Sequence, residues 1–191
     1  MKKLGIAFCF LLGAYAIQSC GGGSNQQNNQ DSLESTDSSS LSTTPASVDN
    51  ESSEFAMKAA KGGIMEVELG KMAQQKASNS RVKSFGAMMV DDHSKANDEL
   101  RQIASSKGIQ IPSTLDAEAQ KEMDELNKKT GTEFDKAYMK LIVDDHQKDV
   151  DEFKEASEKL QDTTLKGFAY RTLPVLQKHL DSAKAIKDAL K

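Results

Sequence analysis

Residues 88–100 read M-M-V-D-D-H-S-K-A-N-D-E-L, and residues 141–153 read L-I-V-D-D-H-Q-K-D-V-D-E-F: 53 positions apart, seven of thirteen residues identical, Asp-Asp-His among them. Imidazole nitrogens and carboxylate oxygens are the donors that suit zinc, iron, manganese or copper. Packing alone has no use for the same histidine in two places, so the repeat implies two related helices sharing one polar site. Only one other histidine exists in the chain, His179, after His93 and His146.

Those residues must be carried by helices. The region from residue 54 onward is rich in Ala, Lys, Glu, Leu, Met and Gln, holds only Pro112 and Pro174, and shows no useful period-two alternation. It reads as all-α. A first apolar face runs through Phe55, Leu69, Gly70 and Ala73; Ser78-Asn79-Ser80 then supplies a turn and a cap for a second helix over residues 81–107, stopped by Gly108. A long connection over 109–131, with a short helix at 116–128, leads to a third long helix capped by Thr132. A fourth follows Asp162, with Pro174 turned away from its apolar face. Four long helices joined by one long crossover give the ferritin-like four-helix bundle.

At 100° per residue, Glu66 falls near the centre of the first apolar face, His93 near the centre of the second and His179 within the fourth. On the third helix Asp145 and Asp149 fall centrally and His146 at the flank. Glu66 and His93 lie about thirteen and fourteen residues from the first turn, His146 and His179 about fifteen and eighteen from the second; at ~1.5 Å per residue each pair agrees in height to roughly 5 Å. One mid-bundle polar layer is therefore expected. Its metal candidates are Glu66, His93, His146 and His179, with Asp92, Asp145 and Asp149 as alternative ligands or as carboxylates that hold a ring from behind. A hydrogen-bonded layer that only fixes helix register is the competing reading. Glu68 points about 200° away from Glu66 and reads as solvated. Met65, Met72, Met88, Met89 and Met139 read as core rather than copper ligands, and Tyr138 and Tyr170 as core residues able to bond to the layer.

The first nineteen residues resemble a bacterial lipoprotein signal: Lys2 and Lys3, an apolar run over 4–17, then Ile17-Gln18-Ser19-Cys20. Cleavage before Cys20 leaves it acylated and removes Cys9, so no thiol remains for a disulfide, a nucleophile or a thiolate metal site. Loss of Lys2 and Lys3 leaves 23 basic against 29 acidic side chains, which excludes nucleic acid as a partner. Residues 20–53, Gly/Ser/Asn/Gln/Thr-rich and without Lys or Arg, read as a disordered tether of roughly 30 Å. The organisation expected is leader 1–19, lipidated linker 20–53 and helical domain 54–191, held at a membrane of the cell envelope on the periplasmic side.

Gly62 onward (G-G-I-M-E-V-E-L-G-K-M-A), V-K-S-F-G-A-M-M-V-D-D-H from Val82, A-Y-M-K-L-I-V-D-D-H from Ala137 and L-P-V-L-Q-K-H-L from Leu173 together resemble the bacterial domain-of-unknown-function family 4142. The resemblance implies a ferritin-like fold in an exported, often lipid-anchored protein, and brings no activity with it. Di-iron enzymes of ferritin-like type carry Glu-x-x-His on two helices. Here Val90, Val143 and Leu176 stand three residues before the histidines, so oxygen-activating chemistry is not indicated. A Ser/His/Asp hydrolase is equally unsupported, since no strand is expected to carry a nucleophile elbow. The sequence reads as a non-enzymatic envelope protein binding a transition metal or small ligand, ahead of a structural or interaction module and of a metal-dependent enzyme.

Overall fold

The structure, a computed structural model, describes residues 48–190; the leader, Cys20 and the tether as far as residue 47 lie outside the described residues. Among the described residues there are five helices: α1 (Asn50–Lys76), α2 (Ser80–Lys107), the short α3 (Ala117–Asn127), α4 (Gly131–Lys159) and α5 (Thr163–Ala189). None of the described helices is long and apolar enough to cross a membrane.

Local chemistry sets most of the ends. Asn79 accepts from the Arg81 N–H at 2.8 Å, Asp116 from Ala119 at 2.9 Å, and Asp162 from both Thr164 and Leu165 at 3.0 Å. Gly108 ends α2 at φ +68°, a left-handed conformation that costs glycine little. Two expected boundaries move. The first helix begins at Asn50, inside the stretch read as tether, because Asp49 caps it through the Ser52 N–H at 2.9 Å and the Ser52 hydroxyl at 2.7 Å. Ser52 is fully buried and its oxygen accepts from the Asp162 N–H at 3.4 Å, so this polar-looking segment belongs to the domain. The third long helix starts at Gly131 rather than at a Thr132 cap, and Thr130 precedes it without a side-chain bond.

Short turns make two antiparallel hairpins, α1–α2 and α4–α5, and these pack so that α1 lies beside α4 and α2 beside α5. Ends that meet fix the directions. The Lys107 ammonium at the end of α2 lies 2.6 Å from Asp162 at the start of α5, and Asp135 at the start of α4 accepts from the Ser78 and Asn79 N–H groups after α1 at 3.0 and 2.9 Å. Hence α2 and α4 run parallel, and the chain between them must travel back the length of the bundle. It does so along α1, tied by Lys61 to Asp116 at 2.7 Å and by Lys76 to the Asn127 side chain at 2.7 Å.

Apolar layers close the interior above and below its middle. Phe55, Phe153 and Phe168 cluster with ring centres 5.0 to 6.5 Å apart, and Phe85, Phe134 and Tyr138 form a second group. Gly70 and Gly86 let α1 and α2 touch backbone to backbone: a Cβ on either would lie 2.7 Å from the other's carbonyl oxygen. Pro174 sits on the exposed side of a helix that continues through it.

Candidate metal centre

Between those apolar layers the bundle is polar. Each long helix contributes one ionisable side chain to its interior at the same height: Glu66 from α1, His93 from α2, His146 from α4 and His179 from α5. All four are buried, His146 and His179 completely. The three rings form a near-equilateral triangle with centres 5.3 to 5.5 Å apart.

Carboxylates stand behind the rings. One oxygen of Glu66 lies 2.9 Å from Nδ1 of His93 and the other 3.0 Å from Nδ1 of His146, while Asp92 lies 3.0 Å from Nε2 of His179. Every imidazole thus has a carboxylate oxygen within 3.0 Å of one nitrogen. The nitrogens left over are Nε2 of His93, Nε2 of His146 and Nδ1 of His179. The last two face one another at 3.4 Å, and Nε2 of His93 has no partner although it is buried. The His146–Glu66 contact is short in distance but out of line for a hydrogen bond, so Oε1 of Glu66 and Nδ1 of His146 also lack a directed partner.

The titration behaviour follows from this crowding. Burial opposes ionisation of Glu66, but the neighbouring His93 and His146 outweigh it and hold the carboxyl well below its usual range. Burial likewise disfavours a charged His146, yet the Glu66 charge prevails and raises it. His179 is pushed down to about 4, by burial first and by the other two rings, with Asp92 only partly compensating. Burial, then Glu66 and Asp145, drive Asp149 up to about 9. The phenol of Tyr138 is raised by burial and by Glu66. A charged His146 donating to a neutral His179, itself donating to Asp92, is the proton arrangement these partners favour.

Such a layer can hold a cation. A metal–nitrogen bond of about 2.0–2.1 Å in a tetrahedral site puts ligand nitrogens about 3.4 Å apart. His146 and His179 already have that spacing, and one nitrogen from each of the three rings lies within 4.8 Å of the others. Glu66, His146 and Asp149 make a second such group. A small pocket of about 20 Å³, bordered by Glu66, His93, Asn97 and Asp149, lies beside His93 and has room for about one water.

The four residues singled out from spacing are therefore brought together, with changes of detail. Glu66 grips two rings from behind, and Asp92 does the same for the third. His146, expected at the flank of its helix, is central, while Asp145 and Asp149 are only half-buried. The buried face of α4 runs through Ile142, Val143, His146, Val150 and Phe153; the stripe Leu141, Asp145 and Asp149 lies to its side, toward α3. Asp145 contacts Lys148 at 3.4 Å rather than a ring. Glu68 pairs with Lys71 at 2.7 Å, as a solvated residue would. Tyr138 is core with an unpartnered hydroxyl, whereas Tyr170 is 71% exposed and far from any role in the layer. Met89 and Met139 are fully buried core, and Met65, Met72 and Met88 pack against it.

Besides Ser52, two buried polar residues carried no clear signal. Asn97, one turn beyond His93, fills the space left by Gly63, where a Cβ would lie 2.1 Å from its Oδ1. The Gly62-Gly63 pair was the available hint. Asp135 closes the α1–α2 turn from another helix altogether, a contact no local pattern announces.

Fold and layer together define a helical-bundle domain with a buried His/Glu cluster able to bind a metal. The chain belongs to the family described as domain of unknown function (DUF4142), whose profile matches residues 37–186. In fold it is similar to the crystal structure of a DUF305 fragment from Deinococcus radiodurans, with a TM-score of 0.65 and 9% identity over 74% of this chain and 98% of that one. Comparison with curated proteins gives no match.

Proposed function

We propose that this protein is a non-enzymatic transition-metal binding module, held at a membrane of the bacterial cell envelope by acylation of Cys20, in which His93, His146 and His179 bind the cation. One observation carries the reading: each ring sets one nitrogen within 3.0 Å of a carboxylate and turns the other toward its neighbours, so that once His146 gives up its proton three lone pairs can be presented to one point inside the core. Carboxylate behind imidazole is the arrangement that fixes the tautomer and raises the basicity of metal-bound histidine. All-imidazole donors suit zinc, copper and iron. The lipoprotein-like leader and a tether free of Lys and Arg support the placement outside the cytoplasm.

A second reading has its own support, because Glu66 lies within 3.0 Å of two rings and can pair with both directly, and such a layer can fix register alone. Metal analysis of protein purified without chelator or affinity tag, beside His93→Ala, decides between them. One equivalent in wild type and none in the variant is expected; equal, substoichiometric metal in both rejects the binding reading. Labelling with a radioactive fatty acid, lost in Cys20→Ala, tests the anchor.

A further inference from the structure

A cation bound by the histidine triangle has to reach it, and an acidic cleft among the described residues leads as far as Glu66. Beneath α3, a cleft of about 350 Å³ opens between α1, α3 and α4. Its walls carry Glu118, Glu122, Asp145, Asp149 and Glu152 against Lys58, Lys61 and Lys148, and Glu66 forms part of it. Two of those lysines are already engaged, Lys61 with Asp116 and Glu118 and Lys148 with Asp145. Glu66, Asp149 and Gly62 border both this cleft and the small pocket beside His93, so they stand between the two.

Acidity alone would say little, but the base of this cleft holds polar atoms that are buried and unmatched. Oε1 of Glu66 and Nδ1 of His146 belong to side chains at least nine-tenths buried, sit 3.0 Å apart, and are misaligned for a hydrogen bond. Two ligands on one cation at about 2.0–2.2 Å lie near that separation and need no mutual alignment. The Asp149 carboxyl completes the set, with one donor atom from each of the three residues within 4.8 Å of the others.

We propose that Glu66, Asp149 and Nδ1 of His146 form a separate, oxygen-rich subsite that captures a divalent cation from the cleft and passes it to the histidine triangle. This rests on the reading of the triangle as a metal site. A neutral imidazole offers one lone pair, so His146 serves the outer subsite or the inner triangle in turn. Transfer moves the ion from the Nδ1 side of that ring to its Nε2 side while the ring's one hydrogen passes the opposite way, from Nε2 to Nδ1, where it again faces Glu66. Binding at the outer subsite displaces the proton of the Asp149 carboxyl; the resulting carboxylate-rich set favours ions such as Mn²⁺, whereas the imidazole triangle favours zinc or copper.

Two variants of the full domain test this, with Mn²⁺ and Zn²⁺ as probes. In His93→Ala/His179→Ala the triangle is destroyed and the outer subsite kept; it is expected to bind one equivalent of Mn²⁺ by electron paramagnetic resonance titration, lost when Asp149→Asn is added. In an otherwise wild-type chain, Asp149→Asn is expected to slow Zn²⁺ loading about tenfold in stopped flow and to leave the final affinity within about threefold. Wild-type loading rates in Asp149→Asn, or no Mn²⁺ bound by the double variant while wild type still takes up Zn²⁺, overturn the capture subsite alone. A wild type that takes up no Zn²⁺ overturns the triangle as well.

Discussion

Asp92 and His179 meet across the α2–α5 contact at 3.0 Å, oxygen to Nε2, and by accepting the Nε2–H hydrogen bond Asp92 leaves the Nδ1 lone pair of His179 facing His146. Asp92 precedes His93 by one residue, so a single turn of α2 supplies one ring to the triangle and orients another. Asp92→Asn should therefore weaken Zn²⁺ binding by about ten- to a hundredfold without unfolding the bundle. Competition against a chromophoric chelator, with circular dichroism as the fold control, measures both; unchanged affinity would free Asp92 of this role.

Loading should release a proton. His146 is held charged by Glu66, and a metal-bound imidazole nitrogen cannot keep its hydrogen. Calorimetric titration with Zn²⁺ near neutral pH, in buffers of different ionisation enthalpy, should show about one proton liberated per ion, and none in His146→Ala.

Two groups give the metal-free protein opposite acid and alkaline dependences. His179 titrates at about 4 in the fold against 6.5 ordinarily, so the unfolded chain takes up a proton that the fold refuses. Its contribution to stability is complete above about 6.5 and lost as pH falls toward 4. Asp149, raised to about 9 from 3.8, acts the other way: its proton is kept by the fold and given up by the unfolded chain, and stability drains away as pH climbs from 4 to 9. Asp149→Asn, which mimics the protonated acid, should stabilise the domain by about 1–3 kcal/mol at pH 8 and by little at pH 4. Urea midpoints across that range give the comparison, and equal gains at both ends would contradict it.

Gly86→Ala should cost about 1–3 kcal/mol, because the new methyl meets the Gly70 carbonyl oxygen at 2.7 Å and the Ala73 side chain at 2.8 Å. Relief requires α1 and α2 to separate, which also pulls Glu66 from His93. The variant should lose both thermal stability and Zn²⁺ affinity, whereas Gly62→Ala, with nothing within 4 Å of the added carbon, should lose neither.

The bundle and its polar level were legible because helix periodicity and turn position are local properties. Counting from Asn79 and Gln161 placed Glu66, His93, His146 and His179 at one height, and the rings indeed lie within 5.5 Å of each other. Rotation about a helix axis was less legible. Leu141, Asp145 and Asp149 look like the centre of a face only until α3 is known to cover their side, since a short helix on the flank half-buries residues that a bare four-rod bundle would expose. Which carboxylate grips which ring depends on contacts between residues as far apart as Asp92 and His179, and spacing within one helix carries no trace of that. The early start of α1 was hidden for a related reason: Asp49 and Ser52 have the composition of the tether, and only their bond to each other and to Asp162 draws them into the domain.

The strap-like return of the chain along α1 has a kinetic consequence. Each hairpin closes over a three-residue turn and can form early from neighbours in sequence, whereas joining the hairpins requires the whole connection over residues 108–130 to be drawn back. Glu66 and His93 come from one hairpin, His146 and His179 from the other, so the ionisable residues surrender their water only at that late docking step. An ion that bridges them can bind only once the hairpins have docked, so it is expected to lengthen the lifetime of the assembled protein more than it changes its speed of assembly.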